Sequence, residues 1–149
     1  MSNTFAQLYT HFIFSTKDRH PSITADLENS LYPYIAGICT NIKCHLIRGG
    51  GFQDHAHLLI RRHPSASESD IMQCVKANSS RWLREEKGQA AFAWQDGYGA
   101  FSVSASSVPN VVAYIARQRE HHAVTDFKTE FVTFLTRHGI GYDPRYIFD

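Results

Sequence analysis

The chain has 149 residues, of which 43% are hydrophobic, 19% are charged and 13% are aromatic. This composition is typical of a folded globular protein and argues against a disordered, fibrous or low-complexity chain. The length suits one domain, which we place over residues 1–149. Fifteen Lys and Arg against 14 Asp and Glu give a net charge of +1, and this balance does not by itself indicate a nucleic-acid partner.

The cellular location is predicted from the sequence, which shows no membrane helix, secretory signal or disulfide framework. No apolar run approaches the roughly 18 residues that a membrane helix needs, and the first five residues lack the basic and apolar regions of a secretory signal. Cys39, Cys44 and Cys74 are odd in number and show no CxxC spacing, which argues against a disulfide framework. We therefore expect a protein of the reducing cytoplasm with no membrane segment.

Four strands are predicted where aromatic and β-branched residues alternate or form short apolar runs. They cover residues 7–15, 44–48, 55–61 and 101–104. The three glycines at positions 49–51 are expected to end the second strand in a bend.

Four helices are predicted from apolar residues at helical spacing. The first begins at Thr24 or Asp26 and contains Pro33, which is expected to kink it. The second helix is predicted to begin after Ser67, where the sequence resembles a capping box. The others cover residues 107–122 and 126–138, and residues 141–149 are expected to pack as an irregular arm.

The predicted order is strand, helix, strand, strand, helix, strand, followed by two helices. The first six elements form the split βαβ pattern of the ferredoxin-like arrangement, which RNA-recognition domains share. We therefore predict an α+β fold, in which helices cover one face of an antiparallel sheet and further helices follow at the C-terminus. A fold alone does not define a function.

Two histidines, His55 and His57, are the sharpest local motif. Residues two apart on a strand point to the same face, so the two imidazoles would lie side by side at a separation that one divalent ion can bridge. Taken alone, the motif also fits a solvated or hydrogen-bonded pair without a metal.

Tyr114 and Gln118 are four residues apart and would share one face of a helix. A phenol has a pKa near 10 and is a poor nucleophile, but a metal-bound phosphate would favour the phenolate. Gln118 could supply a neutral oxygen ligand. The alternative is a half-buried tyrosine whose hydroxyl contacts water.

The middle of the chain is locally basic, with seven Lys and Arg against three acids between Lys43 and Arg84. Basic grooves and aromatic faces hold single-stranded nucleic acid, although a solvated surface has the same composition. The candidate contacts are Arg61, Arg62, Lys76 and Arg81. Trp82 lies on the apolar stripe of its helix and is expected in the core.

These motifs, in order, resemble the single-tyrosine HUH transposases, which are small enzymes of bacterial insertion sequences. His55-Ala56-His57 matches the HUH motif, and Tyr114 with Gln118 matches the nucleophile helix. Similar blocks occur at residues 14–17, 50–55, 79–82, 92–104, 138–140 and 142–146. Gln53 and Ala56 depart from the pattern, and neither is a candidate ligand.

The resemblance implies an activity and a set of roles. His55, His57 and Gln118 would bind Mg²⁺ or Mn²⁺, and Tyr114 would attack single-stranded DNA beside a hairpin to form a 5′-phosphotyrosine link. The family acts as a homodimer in which the tyrosine helix is exchanged between subunits. Such a protein would cleave and rejoin DNA without water or ATP.

Two other readings stay open at this point. The chain could be an inactive nucleic-acid-binding protein derived from a transposase, or a metal-dependent nuclease that uses water and leaves Tyr114 idle. His121 and His122 could orient a ligand or the phosphate, or could interact with the end of the helix dipole.

Overall fold

The elements of the computed structural model, which describes residues 3–122 and 125–148, follow the predicted order. The strands are β1 (Tyr9–Ser15), β2 (His45–Phe52), β3 (His55–Arg61) and β4 (Gly99–Val103). The helices are α1 (Ala25–Asn41), α2 (Glu68–Glu86), α3 (Val108–Ala116), α4 (Gln118–His122) and α5 (Phe127–Arg137), and short 3-10 turns lie at Lys17–Arg19 and Ala105–Ser107.

The four strands form one sheet in the order β2-β3-β1-β4, in which all neighbours are antiparallel. The connections β1-α1-β2 and β3-α2-β4 each skip one strand, which is the ferredoxin-like topology. The predicted α+β fold is therefore confirmed. Two central strands, β1 and β3, carry the residues that define both faces of the sheet.

The first face of the sheet is covered by α1 and α2. Phe12, Phe14, Leu58 and Ile60 point to this face from the two central strands and are fully buried. Helix α1 begins where the Thr24 side chain accepts a hydrogen bond from the backbone of Leu27. Ser67 and Asp70 form the complete capping box that starts α2. Helix α1 continues through Pro33 rather than ending there.

The second face of the sheet is covered by α3, α4 and α5. Ile13 and Phe101 meet Phe127 and Phe131 of α5 in a smaller apolar core. Phe148 of the C-terminal arm packs on this core, whereas Tyr146 is 62% exposed. The predicted arm is therefore packed only in part, and its last residue lies outside the described chain.

Two local predictions were wrong. The glycines at 49–51 do not end β2 but continue it, pairing with Leu58, His57 and Ala56 of β3. They lack side chains where Tyr32 and Ile115 pack against the strand. The predicted helix at 107–122 is two helices, because Arg117 leaves helical geometry with φ −103° and ψ 18°.

Gly139 ends α5 with a φ of +66°, a conformation that glycine adopts without strain. Within the described residues, no helix combines the length and the apolar character that a membrane crossing requires.

We predict that Gly50→Val destabilises the protein by moving α3. A β-carbon at Gly50 would lie 3.0 Å from Cγ2 and 3.1 Å from the carbonyl oxygen of Ile115. Overpacking of this kind costs about 1–3 kcal/mol, so the free energy of unfolding in urea should fall by that amount.

The matched control for this prediction is Gly37→Ala. Nothing lies within 4 Å of a β-carbon at Gly37, which lies inside α1. Alanine at a helix interior should raise the free energy of unfolding by up to about 1 kcal/mol. Equal effects of the two substitutions would contradict the close packing of α3 on β2.

Candidate active site

The two predicted histidines, His55 and His57, lie next to each other on the second face of the sheet. Both side chains are fully buried, and their ring centroids are 5.2 Å apart. Ala56 between them points to the opposite face and packs in the main core. The strand alternation thus produces the side-by-side imidazoles that the spacing predicts.

Each of these imidazoles has a partner that fixes its orientation. Nδ1 of His55 lies 2.8 Å from a carboxylate oxygen of Asp54, and Nδ1 of His57 lies 2.9 Å from Nε2 of His11. Both Nε2 atoms therefore point into the same interior space. No role is predicted for His11 from the sequence, although alternation along β1 brings its side chain to this face.

Tyr114 and Gln118 reach the same place from α3 and α4. The Tyr114 ring centroid lies 5.7 Å from that of His57, and the amide oxygen of Gln118 lies 3.0 Å from Nε2 of His55. Arg117, where the helical geometry is interrupted, lies between the two residues, and both side chains face the histidine pair. All four predicted residues converge within a single chain.

Glu130 of α5 lies at the centre of this group and was not among the predicted site residues. Its side chain is almost completely buried. Its Oε1 atom lies 3.0 Å from Nε2 of His57 and 3.1 Å from Nε2 of His122. Its Oε2 atom accepts hydrogen bonds from the Tyr114 hydroxyl and from the Gln118 amide, the latter at 3.1 Å.

A signal for Glu130 existed in the sequence. Phe127, Phe131 and Leu135 form the buried stripe of α5, and Glu130 occupies a position on that same stripe. A carboxylate on the apolar side of an amphipathic helix needs a partner, since burying an unpaired charge is costly. The partners lie on other elements, between 8 and 73 positions away in sequence, so spacing within one helix could not identify them.

The environment sets the charge state of three of these groups. Burial opposes ionisation of Glu130, but hydrogen bonds from His122 and His57 outweigh it and hold its pKa well below the usual range. Burial, together with the hydrogen bond to Glu130, raises the pKa of Tyr114. Burial lowers the pKa of His57 to about 4, despite the neighbouring carboxylate. Near neutral pH the site therefore contains an anionic carboxylate, a neutral phenol and a neutral His57.

These groups fit a divalent cation. His55, His57, His122 and Glu130 each offer one ligand atom, and these atoms lie within 4.8 Å of one another. Metal binding requires neutral imidazoles and an ionised carboxylate, which are the forms that burial favours for His57 and that hydrogen bonding favours for Glu130. The oxygen of Gln118 lies beside this cluster as a further neutral donor.

The four candidate DNA-binding cations do not form one group. Arg61 and Arg62 lie at the end of β3 remote from His55, and Arg62 pairs with Glu68 at 2.9 Å. Lys76 and Arg81 lie on α2, which covers the opposite face of the sheet.

The ammonium group of Lys76 donates hydrogen bonds within the protein. Its acceptors are the carbonyl oxygens of Gln95, Asp96 and Gly97, at 2.8, 3.2 and 2.6 Å. Burial lowers its pKa to about 8. Trp82 is 9% exposed and stacks on Tyr34 with ring centroids 4.3 Å apart, so its expected place in the core is confirmed.

Two cavities flank the histidine pair. One, of about 360 Å³, is lined by Tyr114, Glu130 and Arg137. The other, of about 550 Å³, is lined by Gln118 and by Arg48 and Arg119. One cavity thus lies next to the phenol and has one arginine in its lining, and the other lies next to the amide and has two.

A comparison with models of protein families assigns the chain to a known family. A family model described as "Transposase IS200 like" matches residues 4–118. The chain therefore belongs to the family of IS200-like transposases, as the sequence motifs indicated. The match ends at Gln118, so His122 and Glu130 lie C-terminal to the matched region.

Solved structures have the same fold. A candidate transposase from Deinococcus radiodurans R1 has a TM-score of 0.62 and 22% identity, covering 79% of this chain and 95% of its own. A REP-associated tyrosine transposase, bound to a REP hairpin, has a TM-score of 0.61 and 12% identity, covering 84% of this chain and 74% of its own. No curated protein matches the chain.

Proposed function

We propose that this transposase cleaves and rejoins single-stranded DNA at hairpin-bearing ends through a covalent 5′-phosphotyrosine intermediate. The convergence of Tyr114 with His55, His57 and Gln118 inside one chain is the observation that carries this proposal. Tyr114 is the nucleophile, and no other tyrosine among the described residues belongs to this group.

The proposed reaction needs no water. The hydroxyl oxygen of Tyr114 forms a bond to the scissile phosphorus, and the bond between that phosphorus and the O3′ atom of the preceding nucleotide breaks. The proton that leaves the phenol balances the proton taken up by the new 3′-hydroxyl. A later attack by a 3′-hydroxyl on the phosphotyrosine reverses these changes and rejoins the strand.

The proposed cofactor is Mg²⁺ or Mn²⁺, held by His55, His57 and Gln118. When bound, the ion would polarise the scissile phosphate and favour the phenolate. The chain's own contribution is orientation, since Asp54 and His11 hold the two rings in place. Two imidazoles make Mn²⁺ an especially suitable ion, because Mg²⁺ prefers oxygen ligands.

We propose a single-stranded DNA hairpin as the partner. The similar REP-associated transposase is bound to a hairpin, which supports this choice. Arg61, Arg62, Lys76 and Arg81 remain the proposed contacts. Arg61 is exposed at the end of β3, which suits phosphate binding, whereas Lys76 would first have to leave its three carbonyl acceptors.

The setting is proposed to be the cytoplasm, which is consistent with the free thiols of Cys39, Cys44 and Cys74. We further propose a homodimer in which the tyrosine helix is exchanged, so that Tyr114 of one subunit serves His55 and His57 of the other. In the single chain the phenol already lies beside its own histidines. Helix exchange would therefore replace contacts within one chain by the equivalent contacts between two subunits.

A metal-dependent nuclease that uses water is the second candidate function. The raised pKa of Tyr114 favours it, because a phenol that stays protonated is a poor nucleophile. Formation of a covalent protein–DNA adduct separates the two candidates.

We predict that Tyr114→Phe abolishes the covalent adduct with a labelled single-stranded hairpin oligonucleotide in Mn²⁺. The substitution removes only the hydroxyl, so cleavage through phosphotyrosine should fall at least 1,000-fold, as expected when an essential nucleophile is lost. A denaturing gel measures both adduct and cleaved strand. The control is Tyr146→Phe, because Tyr146 is exposed on the C-terminal arm. Cleavage that survives in Tyr114→Phe would indicate the water-using nuclease.

We predict that His57→Ala abolishes cleavage but leaves hairpin binding within about threefold of the unmodified chain. The imidazole is fully buried beside Tyr114 and is remote from the exposed Arg61, so it serves the chemistry rather than the hairpin. Binding is measured by fluorescence anisotropy with His20→Ala, an exposed histidine, as control. Equal loss of binding and cleavage would contradict this division of roles.

We predict that mixing His57→Ala with Tyr114→Phe restores part of the cleavage activity if helices are exchanged. In a mixed dimer one composite site then contains an intact histidine pair and an intact phenol. Refolding the two variants together, followed by the adduct assay, measures this recovery. A mixture that stays inactive while each variant dimerises would contradict exchange, and a monomeric mass in light scattering would contradict the dimer.

A further inference from the structure

We infer that Glu130 and His122 are additional ligands of the proposed ion. Helix α5 then closes a site of three imidazoles, one carboxylate and the Gln118 oxygen, which selects a first-row transition ion over Mg²⁺. The inference rests on the proposed metal dependence of His55 and His57. It adds residues from the segment that follows the family match. It also gives the C-terminal helix a place in the metal site.

The distances around Glu130 support this ligand set. Its Oε1 atom lies 3.0 Å from Nε2 of His57, 3.1 Å from Nε2 of His122 and 3.5 Å from Nε2 of His55. An ion with bonds of about 2.1 Å holds neighbouring ligand atoms about 3.0 Å apart in octahedral geometry and about 3.4 Å apart in tetrahedral geometry. The separations measured from Oε1 are close to these values, and the four ligand atoms lie within 4.8 Å of one another.

The hydrogen-bond partners of His55 also fit a cation. The carboxylate of Asp54 accepts the hydrogen of Nδ1, so Nε2 is the atom that offers a lone pair in the neutral form of the ring, which is the form that binds a metal. This lone pair faces the amide oxygen of Gln118 at 3.0 Å and Oε1 of Glu130 at 3.5 Å. Three acceptors that face one another repel, and a cation between them turns the repulsion into coordination.

The hydrogen bonds to the Glu130 carboxylate use all of its acceptor sites. A carboxylate has about four lone-pair sites. Oε1 faces Nε2 of His57 and of His122, and Oε2 accepts from the Tyr114 hydroxyl and the Gln118 amide. An ion between Oε1 and the two Nε2 atoms would take the place of the two hydrogen bonds at Oε1.

The donor types decide which ion fits best. Mg²⁺ requires octahedral oxygen ligands and keeps several waters, whereas imidazole suits transition ions such as Zn²⁺ and Fe²⁺, and carboxylate suits Mn²⁺. Three imidazoles with one buried carboxylate therefore favour a transition ion. Since Glu130 lies on α5, binding of that ion should also hold α5 on the sheet.

The test is Mn²⁺ binding to the full chain after chelator treatment, measured by isothermal titration calorimetry with Mg²⁺ as a competitor. Loss of even an outer partner of a metal ligand costs 10–100-fold in affinity. We expect Glu130→Gln and His122→Ala each to raise the Kd for Mn²⁺ at least tenfold. The control Glu86→Gln changes an exposed carboxylate on α2 and should have no effect.

A second measurement does not depend on a variant that folds. Hydrogen exchange of the unmodified chain should slow at the backbone amides of α5 when Mn²⁺ is added, and Mg²⁺ at the same concentration should have a smaller effect. Circular dichroism establishes whether Glu130→Gln is folded. If α5 exchanges at the same rate with and without Mn²⁺, the inference is wrong.

The remaining outcomes separate this inference from the proposed function. If Glu130→Gln and His122→Ala bind Mn²⁺ as the unmodified chain does, while His57→Ala does not, the inference fails and the proposed function stands. If Mg²⁺ competes on equal terms with Mn²⁺, the selectivity is wrong. If the unmodified chain binds no divalent ion, both the inference and the proposed metal dependence fail.

Discussion

The contact between the Glu130 carboxylate and the imidazoles of β3 is the interaction on which the site depends. This one side chain touches His57 on the sheet, Tyr114 on α3, and Gln118 and His122 on α4. Burying a carboxylate costs several kcal/mol unless hydrogen bonds or charges compensate. The surrounding donors supply that compensation, so the position of α5 and the arrangement of the candidate active site depend on each other.

The alternation of the central strands makes this arrangement possible. Phe12, Phe14 and Ala56 point to the main core, whereas their neighbours His11 and His57 point to the other face. The first face provides most of the apolar burial, which is the main source of stability in a domain of this size. The second face has a smaller apolar core and can therefore hold polar groups without loss of the fold. Successive side chains of the central strands point to opposite faces, so one face of the sheet holds the main core and the other holds the candidate active site.

Much of the fold and part of the site could be predicted from the sequence, because both depend on local periodicity. Strand alternation placed His55 and His57 side by side, and helical spacing placed Tyr114 near Gln118. Periodicity could mark Glu130 as a buried carboxylate but not its role, since its contact with His57 joins residues 73 positions apart. The charge of Lys76 was visible, but the three carbonyl acceptors that bind it were not, since they belong to a turn on another part of the chain. The continuation of β2 through its glycines was also missed, because it depends on how closely Tyr32 and Ile115 pack on the strand.

The charge of Glu130 has a consequence for Tyr114, the proposed nucleophile. An anion that accepts the Tyr114 hydroxyl hydrogen stabilises the neutral phenol, and burial acts in the same direction. A divalent cation next to the same carboxylate would offset its charge and act on the phenol in the opposite direction, because a nearby positive charge favours the phenolate. The proposed ion would therefore weaken the interaction that opposes attack by Tyr114 in the protein alone. Activation of Tyr114 and occupancy of the proposed metal site are in this way linked by a single side chain, which comes from a helix outside the region that the family match covers.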